Sequence, residues 1–383
     1  MNMDFRPLEE YVNNVLYANK DLPGCDIIIK KDHKTVFRYQ HGYSDIENKA
    51  LVRGDEMYLL YSCSKPVTAA TAMRLIEEGK LDPDAPVSKY IPAFKNTFLM
   101  KDGKKVPTEN VMTVRHLFTM TAGFDYNVDK EPVKKLFAET EANVSAVNFA
   151  SALVSAPLCY EPGARYQYSL CLDVLGAVVE AVADMPLGEY QKKILFEPLG
   201  MENTGYLNTV RSADKLLKLY NYDAATKQIS VNNNFKLYGL HDRYQSGGAG
   251  LLSTVDDYSK FAATLANGGT SEDGYRFLNP ETVKMLHSEQ LRTFANNCSF
   301  SCASGAGYGY GMGVRTLVER NDGQKAPIGE FGWDGAAGSY VMIDDVNNLS
   351  LFFATHYMGW KMAWDMPHIP LRDITYDCMS IEN

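Results

Sequence analysis

The tetrapeptide Ser62-Cys63-Ser64-Lys65 sets a hydroxyl and an amine three residues apart, which on a helix is one turn along a shared face. A serine that transfers acyl groups needs such a neighbour, because its hydroxyl is a poor nucleophile until a base takes the proton. The spacing alone is a weak signal, since Ser212 to Lys215 repeats it. Context separates the two. Ser62 follows the apolar run Met57 to Tyr61 and opens a helical pattern, with Val67, Ala70, Met73 and Ile76 on one face until Gly79 stops it. Its hydroxyl, and any oxyanion forming beside it, would meet unpaired N–H groups and the positive end of a helix dipole. Pro66 falls within the first turn, where a missing N–H costs little. Ser212, flanked by Arg211, Asp214 and Lys218, reads as an ordinary polar helix start. Beside the amine of Lys65, a second proton acceptor is Tyr168, in Glu161-Pro162-Gly163-Ala164-Arg165-Tyr166-Gln167-Tyr168-Ser169, an extended piece that runs into an apolar helix. The chain has no Walker loop, Gly-x-Ser-x-Gly elbow, His-Glu-x-x-His or Gly-x-Gly-x-x-Gly fingerprint. His116 lies in a helical pattern with no elbow to serve, so packing or a local hydrogen bond suits it better than a Ser-His relay. His356 is similar.

Strand-like runs stand at both ends of the chain. Cys25 to Lys30 and Thr35 to His41 read as a hairpin after an opening helix over Phe5 to Ala18, and Met57 to Tyr61 as a further strand. Tyr308 to Leu317, Ile328 to Trp333, Ser339 to Asp344 and Leu349 to His356 are strands before a terminal helix after Pro370. The middle is mostly helical, with helices over Thr113 to Thr121, Ala146 to Ser155, Ser169 to Ala183, Leu187 to Glu197 and Thr254 to Ala266. The fold class is therefore α+β: one antiparallel sheet built from both termini and flanked by helices, with a mostly helical insertion. The domain boundaries follow as 1–81 with 271–383 for the sheet domain and 82–270 for the helical one, the site lying in the cleft between. Gly305, Gly307, Gly309, Gly311 and Gly313 would fall on one strand face and admit a helix closely.

With 383 residues, 45% of them hydrophobic, the chain has enough apolar material for a substantial core. Its 38 basic and 47 acidic residues leave a net charge of −9, without the basic footprint of nucleic-acid or anionic-membrane binding. A small-molecule ester or amide is the expected partner, and the oligomeric state stays open. The sequence has no stretch of 18 apolar residues and no basic-then-apolar start, which predicts a cytoplasmic protein. Seven scattered cysteines fit reduced thiols. Cys298 and Cys302 are close in sequence but lack clustered ligands, so no metal is expected there. Cys63 reads as a small buried filler, and Tyr357, Trp360 and Trp364 as a hydrophobic seam under the terminal helix rather than a substrate wall.

Five blocks, placed along the chain in this order, resemble the serine β-lactamase-related family: Ser62 to Lys65, Thr113 to Gly123, Pro162 to Ser169, Ser246 to Leu251 and Phe331 to Gly338. That family includes class C β-lactamases, D-alanyl-D-alanine carboxypeptidases and family VIII carboxylesterases, and the similarity runs from about Cys25 to His356. The resemblance implies a β-lactamase/transpeptidase-like fold and a serine hydrolase that needs no metal or organic cofactor. It implies Ser62 as the acylated nucleophile, Lys65 as the amine that receives or relays its proton, and Tyr168 as general base. It makes the backbone N–H groups of Ser62 and Ala336 the oxyanion hole, and places Trp333, Asp334, Gly335 and Leu170 at substrate-binding positions, Gly335 keeping the backbone open. In β-lactamases a lysine stands where this chain has Trp333, and an asparagine where it has Leu170. Both groups help hold the drug, and each lost polar contact costs about 1–3 kcal/mol. An esterase is therefore expected over a lactamase, with Lys65 as the one cation left beside the tyrosine and a rate rising into mildly alkaline pH. Asp334 would repel carboxylate substrates if it faced the cleft, or else engage a surface hydrogen bond. A D-amino-acid peptidase, an acyl transferase and a non-catalytic sensor are the competing readings.

Overall fold

The computed structural model describes residues 3–18, 23–140, 144–210, 213–223, 225–233, 244–294, 300, 305–359, 364 and 366–381. The chain opens with helix α1 (Arg6–Tyr11), which continues as a wider π turn over Val12–Leu16. Strands β1 (Cys25–Lys31), β2 (Lys34–His41), β3 (Tyr43–Asp45), β4 (Ala50–Leu51) and β5 (Tyr58–Leu59) lead through a 3-10 turn, Tyr61–Cys63, into α2 (Ser64–Glu77). The hairpin β6 (Phe98–Lys101) and β7 (Lys104–Pro107) precedes helices α3 (Val114–Phe118), α4 (Glu131–Glu139), α5 (Ala146–Val154), α6 (Cys171–Ala183) and α7 (Leu187–Gln191). Short strands β8 (Gly205–Tyr206), β9 (Tyr220–Asp223), β10 (Gln228–Val231) and β11 (Leu251–Ser253) come next, then α8 (Val255–Ala266) and α9 (Pro280–His287). The last stretch holds β12 (Tyr308–Tyr310), β13 (Arg315–Leu317), β14 (Phe331–Asp334), β15 (Tyr340–Asp344), β16 (Leu349–Thr355), β17 (Tyr357–Met358) and α10 (His368–Met379).

The central sheet has seven strands in the order β12-β13-β14-β15-β16-β1-β2, and every pairing in it is antiparallel. Strands from both termini thus meet in one sheet, as expected. Both of its faces are covered, which is why β1 and β16 read as near-continuous apolar runs: Ile28 and Phe352 join the core under α2 and α8, while Ile27, Ile29 and Phe353 join the one under α1 and α10. Each such side chain stabilises the fold by about 1.5–3 kcal/mol on burial. α8 lies within the 82–270 stretch in sequence yet packs across β1, β15 and β16.

Three expectations change in detail. Of Met57 to Tyr61 only β5 is strand, and it pairs with β11 rather than joining the main sheet. Tyr308 to Leu317 is a hairpin, not one strand: Gly311 N–H donates to Val314 O at 2.8 Å, and Gly313 turns the chain at φ +88°. The glycine series therefore shares no single face, although close approach does explain four members, a Cβ on Gly307 lying 2.0 Å from Glu319 O. A Cβ on Gly309 would lie 2.7 Å from the Glu289 side chain, on Gly311 2.5 Å from Leu286 O, and on Gly313 2.8 Å from Ala69 of α2. The terminal helix begins at His368, before Pro370, which occupies its first turn.

Candidate active site

α2 is rich in alanine on its buried faces, with Ala69, Ala70 and Ala72 fully enclosed, so the helix sits deep and carries Lys65 into the interior at its second position. The residue before Ser62, Tyr61, is held at φ +46°, a left-handed conformation that is strained for a large side chain and that turns β5 sharply into the nucleophile turn. Ser62 itself lies in that 3-10 turn, ahead of the α-helix, and Cys63 is the cap residue.

Lys65 is completely buried. Its Nζ donates to Ser62 Oγ at 2.9 Å and to Gly248 O at 2.7 Å, and lies 4.7 Å from the centre of the Tyr168 ring. The Tyr168 hydroxyl is 2.6 Å from Ser62 Oγ. Hydroxyl, amine and phenol, separated by up to 106 positions in sequence, therefore converge on one oxygen. Trp333, on β14, donates its indole N–H to the Tyr168 hydroxyl at 3.1 Å. The phenol oxygen thus accepts a neutral N–H, while the Lys65 amine lies against the ring.

Residues 9–368 match the sequence profile of the beta-lactamase family. The chain belongs to that family. Esterase EstB of Burkholderia gladioli is 27% identical over 380 residues, 93% of this chain and 91% of EstB. A protein of Escherichia coli (strain K12), provisionally named a D-alanyl-D-alanine carboxypeptidase, is 25% identical over 92% of this chain and 80% of its own length. Among solved structures, EstCE1, described as a hydrolase with promiscuous acyltransferase activity, is similar with a TM-score of 0.75 and 26% identity, covering 94% of this chain and 97% of EstCE1. This member of the beta-lactamase family is a serine hydrolase with the β-lactamase/transpeptidase-like fold.

Against the family pattern, the four expected substrate positions fall differently. Trp333 is 5% exposed and spends its polar atom on Tyr168. Leu170 is fully buried in the core under α6 and presents no surface to a ligand. Gly335 keeps space open, but for the protein itself: a Cβ there would lie 2.3 Å from Leu60 O and 2.1 Å from Ser339 Oγ, so the missing side chain lets β14 close on the nucleophile turn. Asp334 pairs with Tyr340 across the ladder and so shares the α10-side face with it, opposite Trp333. It is neither on the cleft wall nor at the surface. Burial pushes its carboxyl up to about 6, against the pull of Arg315 and Lys65. Within Trp333–Ala337 Ala336 alone keeps appreciable exposure.

The remaining expectations sort by local bonding. Cys63 is buried with its thiol pushed up to about 12 by burial, a filler as expected. The His116 ring accepts the Thr113 N–H at 3.1 Å and caps α3; burial, with Arg115 nearby, pushes it down to about 4. His356 is buried between Lys218 O and Tyr43 O. Tyr357 and Trp364 join the seam under α10, but Trp364 also donates to Gly335 O at 2.9 Å, the carbonyl of the peptide whose N–H belongs to Ala336. Ser212, Trp360, Cys298 and Cys302 lie outside the described residues, and Lys215 is paired with Asp55 at 2.7 Å. Among the described residues no helix is long and apolar enough to cross a membrane, and no cluster of three metal-ligating side chains occurs.

Two features escaped the sequence reading. One is an aromatic wall beside the nucleophile, where Tyr166, Phe300 and Tyr310 pack on one another and Tyr310 on Trp333; aromatics scattered over 168 positions carry no local periodic signal. The other is Asp173, buried in α6. An acid inside an otherwise apolar first turn, Cys171-Leu172-Asp173-Val174-Leu175, was the available signal for it.

Proposed function

We propose that the protein is a carboxylesterase that forms an acyl-enzyme on Ser62 and releases it to water, with small short-chain or aromatic esters as substrates. The observation that carries this reading is the placement of Ser62 Oγ between Lys65 Nζ at 2.9 Å and the Tyr168 hydroxyl at 2.6 Å. As Ser62 Oγ bonds to the ester carbonyl carbon, its proton passes to the Tyr168 oxygen while the Tyr168 hydroxyl gives its own proton to the departing alkoxide. The indole N–H of Trp333 donates to that oxygen and Lys65 to Ser62 Oγ. The N–H groups of Ser62 and Ala336 receive the tetrahedral oxyanion. Water, deprotonated by the same tyrosine, then attacks the acyl carbon and frees Ser62.

Ester over lactam follows from the cleft. Trp333 supplies an aromatic edge where a lactam carboxylate would want a cation, and Leu170 offers no amide. Similarity to EstB and EstCE1 supports the same choice. A second reading, transfer of the acyl group to an alcohol, is favoured by the half-buried aromatic rings of Tyr166 and Phe300, an apolar seat for an acceptor, and by the description of EstCE1. The test is intact-mass spectrometry after a fluorophosphonate, with p-nitrophenyl acetate and nitrocefin turnover, on wild type and Ser62→Ala. A single adduct on wild type alone, with ester turned over faster than lactam, is the expected result; an adduct that persists in Ser62→Ala would overturn it.

A further inference from the structure

Asp173 is 1% exposed, and the acyl-transfer scheme makes no use of it. Its Oδ1 accepts the Ser246 hydroxyl at 2.5 Å and the Tyr244 hydroxyl at 3.2 Å. Its Oδ2 lies against Gly248, whose backbone N–H favours the carboxylate and where a Cβ would come within 2.4 Å of it. Gly247 is equally pressed: a Cβ there would lie 2.6 Å from Leu172 O of α6. The double glycine therefore exists so that the 246–250 turn can seat itself on the first turn of α6.

The other side of the same turn faces α2. Thr68 donates to Gly247 O at 2.7 Å, Lys65 donates to Gly248 O at 2.7 Å, and Ser64 Oγ accepts the Leu251 N–H at 3.0 Å. One residue, Gly248, thus stands between a buried carboxylate and a buried ammonium. A buried charge that forms no direct ion pair is costly, and an apolar residue of similar size would serve stability better. What the arrangement does provide is a counter-charge that takes none of the amine's hydrogens, which go to Ser62 Oγ and Gly248 O. A carboxylate in direct contact would draw Lys65 away from Ser62; one set behind Gly248 balances the charge and leaves the amine aimed at the nucleophile.

We propose that Asp173 is a positioning residue for acylation: it anchors the 246–250 turn so that Gly248 O receives one Lys65 hydrogen, and its charge balances the ammonium that is held on Ser62. This rests on the acyl-enzyme reading above. The titratable groups facing Asp173 are Lys65 from α2, Tyr206 from β8, Tyr244 from the turn and Cys171 from its own helix; Asp334 is a second buried carboxylate that feels Lys65, from across β14. Burial lifts the Asp173 carboxyl above the usual range, so its protonation contributes to the acid limb of the rate.

The experiment is pre-steady-state acylation of the full chain by p-nitrophenyl acetate, followed from pH 5 to 8, for wild type, Asp173→Asn and Ser246→Ala. Asp173→Asn keeps shape and an acceptor oxygen but removes the charge. It is expected to slow acylation about 10- to 100-fold with KM within about twofold, and to flatten the acid limb of the rate. Ser246→Ala loosens the anchor and keeps the charge, so a smaller loss with the acid limb retained is expected, and it serves should the asparagine variant not fold. An Asp173→Asn enzyme with wild-type acylation and a superimposable profile, or a Ser246→Ala enzyme with no loss at all, would overturn the proposal. Absence of any acetyl-Ser62 in wild type would instead remove the acyl-enzyme reading, and the role of Asp173 with it.

Discussion

The two faces of the central sheet each bury charge, and they do so in opposite ways. On the α10 side, Arg315 and Glu330 are both fully buried and in direct contact at 3.0 Å. Around them the Arg315 guanidinium also donates to Tyr340 and Val341 O, Tyr308 donates to Glu330, and Arg372 donates to Tyr308. On the cleft side, Lys65 and Asp173 are equally buried but separated by Gly248, and the amine spends a hydrogen on a serine that retains access to solvent. Where the two charges meet directly and share their hydrogen bonds with neighbouring rings and carbonyls, charge contributes to a unique packing. Where a charge is balanced at a distance, its donors stay available for chemistry, and the fold bears the desolvation cost.

Four changes would break or sharpen this contrast. The largest effect should come from Tyr168→Phe, which leaves the packing and removes the oxygen on Ser62: p-nitrophenyl acetate acylation is expected to fall about 10²- to 10⁴-fold while the melting temperature holds. Arg315→Ala should do the reverse, costing about 3–5 kcal/mol in urea unfolding because Glu330 is left buried and unmatched, with acylation per folded molecule within about twofold of wild type. Parallel losses of rate and stability in both variants would dissolve the distinction between the faces.

Asp334 tests the α10 side by pH. Its folded carboxyl, at about 6, lies above its unfolded value near 3.8, so the folded state binds the extra proton between those values. Wild type should therefore lose stability as pH rises from about 4 to 6, the cost being complete above. Asp334→Asn should flatten that slope and gain at most about 2–3 kcal/mol at pH 7. Chemical denaturation across pH 4 to 8 reads this directly, and identical slopes in the two proteins would contradict it. The smallest effect is expected from Trp333→Phe, which keeps the ring and deletes one N–H donor to Tyr168. A loss of about 5- to 10-fold in kcat/KM, carried by kcat, corresponds to one hydrogen bond; a loss carried by KM would instead make Trp333 a substrate contact.

Much of the architecture was legible because it rests on local patterns. The β1–β2 hairpin, the helices α2, α5, α6 and α8 and the strands β15 and β16 follow alternation or helical spacing that no tertiary contact overrides. Hairpin β6–β7 was legible too, through the Asp102-Gly103 turn with both residues at positive φ, a pair that favours tight hairpins. It went unread because its strands, Phe98–Lys101 and Lys104–Pro107, are only four residues each, and the second is lysine-rich and mostly exposed. Asp334 went astray for another reason. Its neighbour Trp333 faces the cleft, and alternation along β14 must send the next side chain to the far face.

By itself the sequence determined the pairing of Ser62 with Lys65, since a turn of helix fixes the two relative to each other, and it determined the sheet from both termini, since period and burial are local. Only the tertiary structure decided that the indole of Trp333 serves Tyr168, that Gly335 yields space to Leu60 rather than to substrate, and that Asp173 stands behind Lys65. Those relations span about 100 to 270 residues of chain. Helical and strand periodicity reaches only a few residues, so contacts between distant segments are set by how the elements pack.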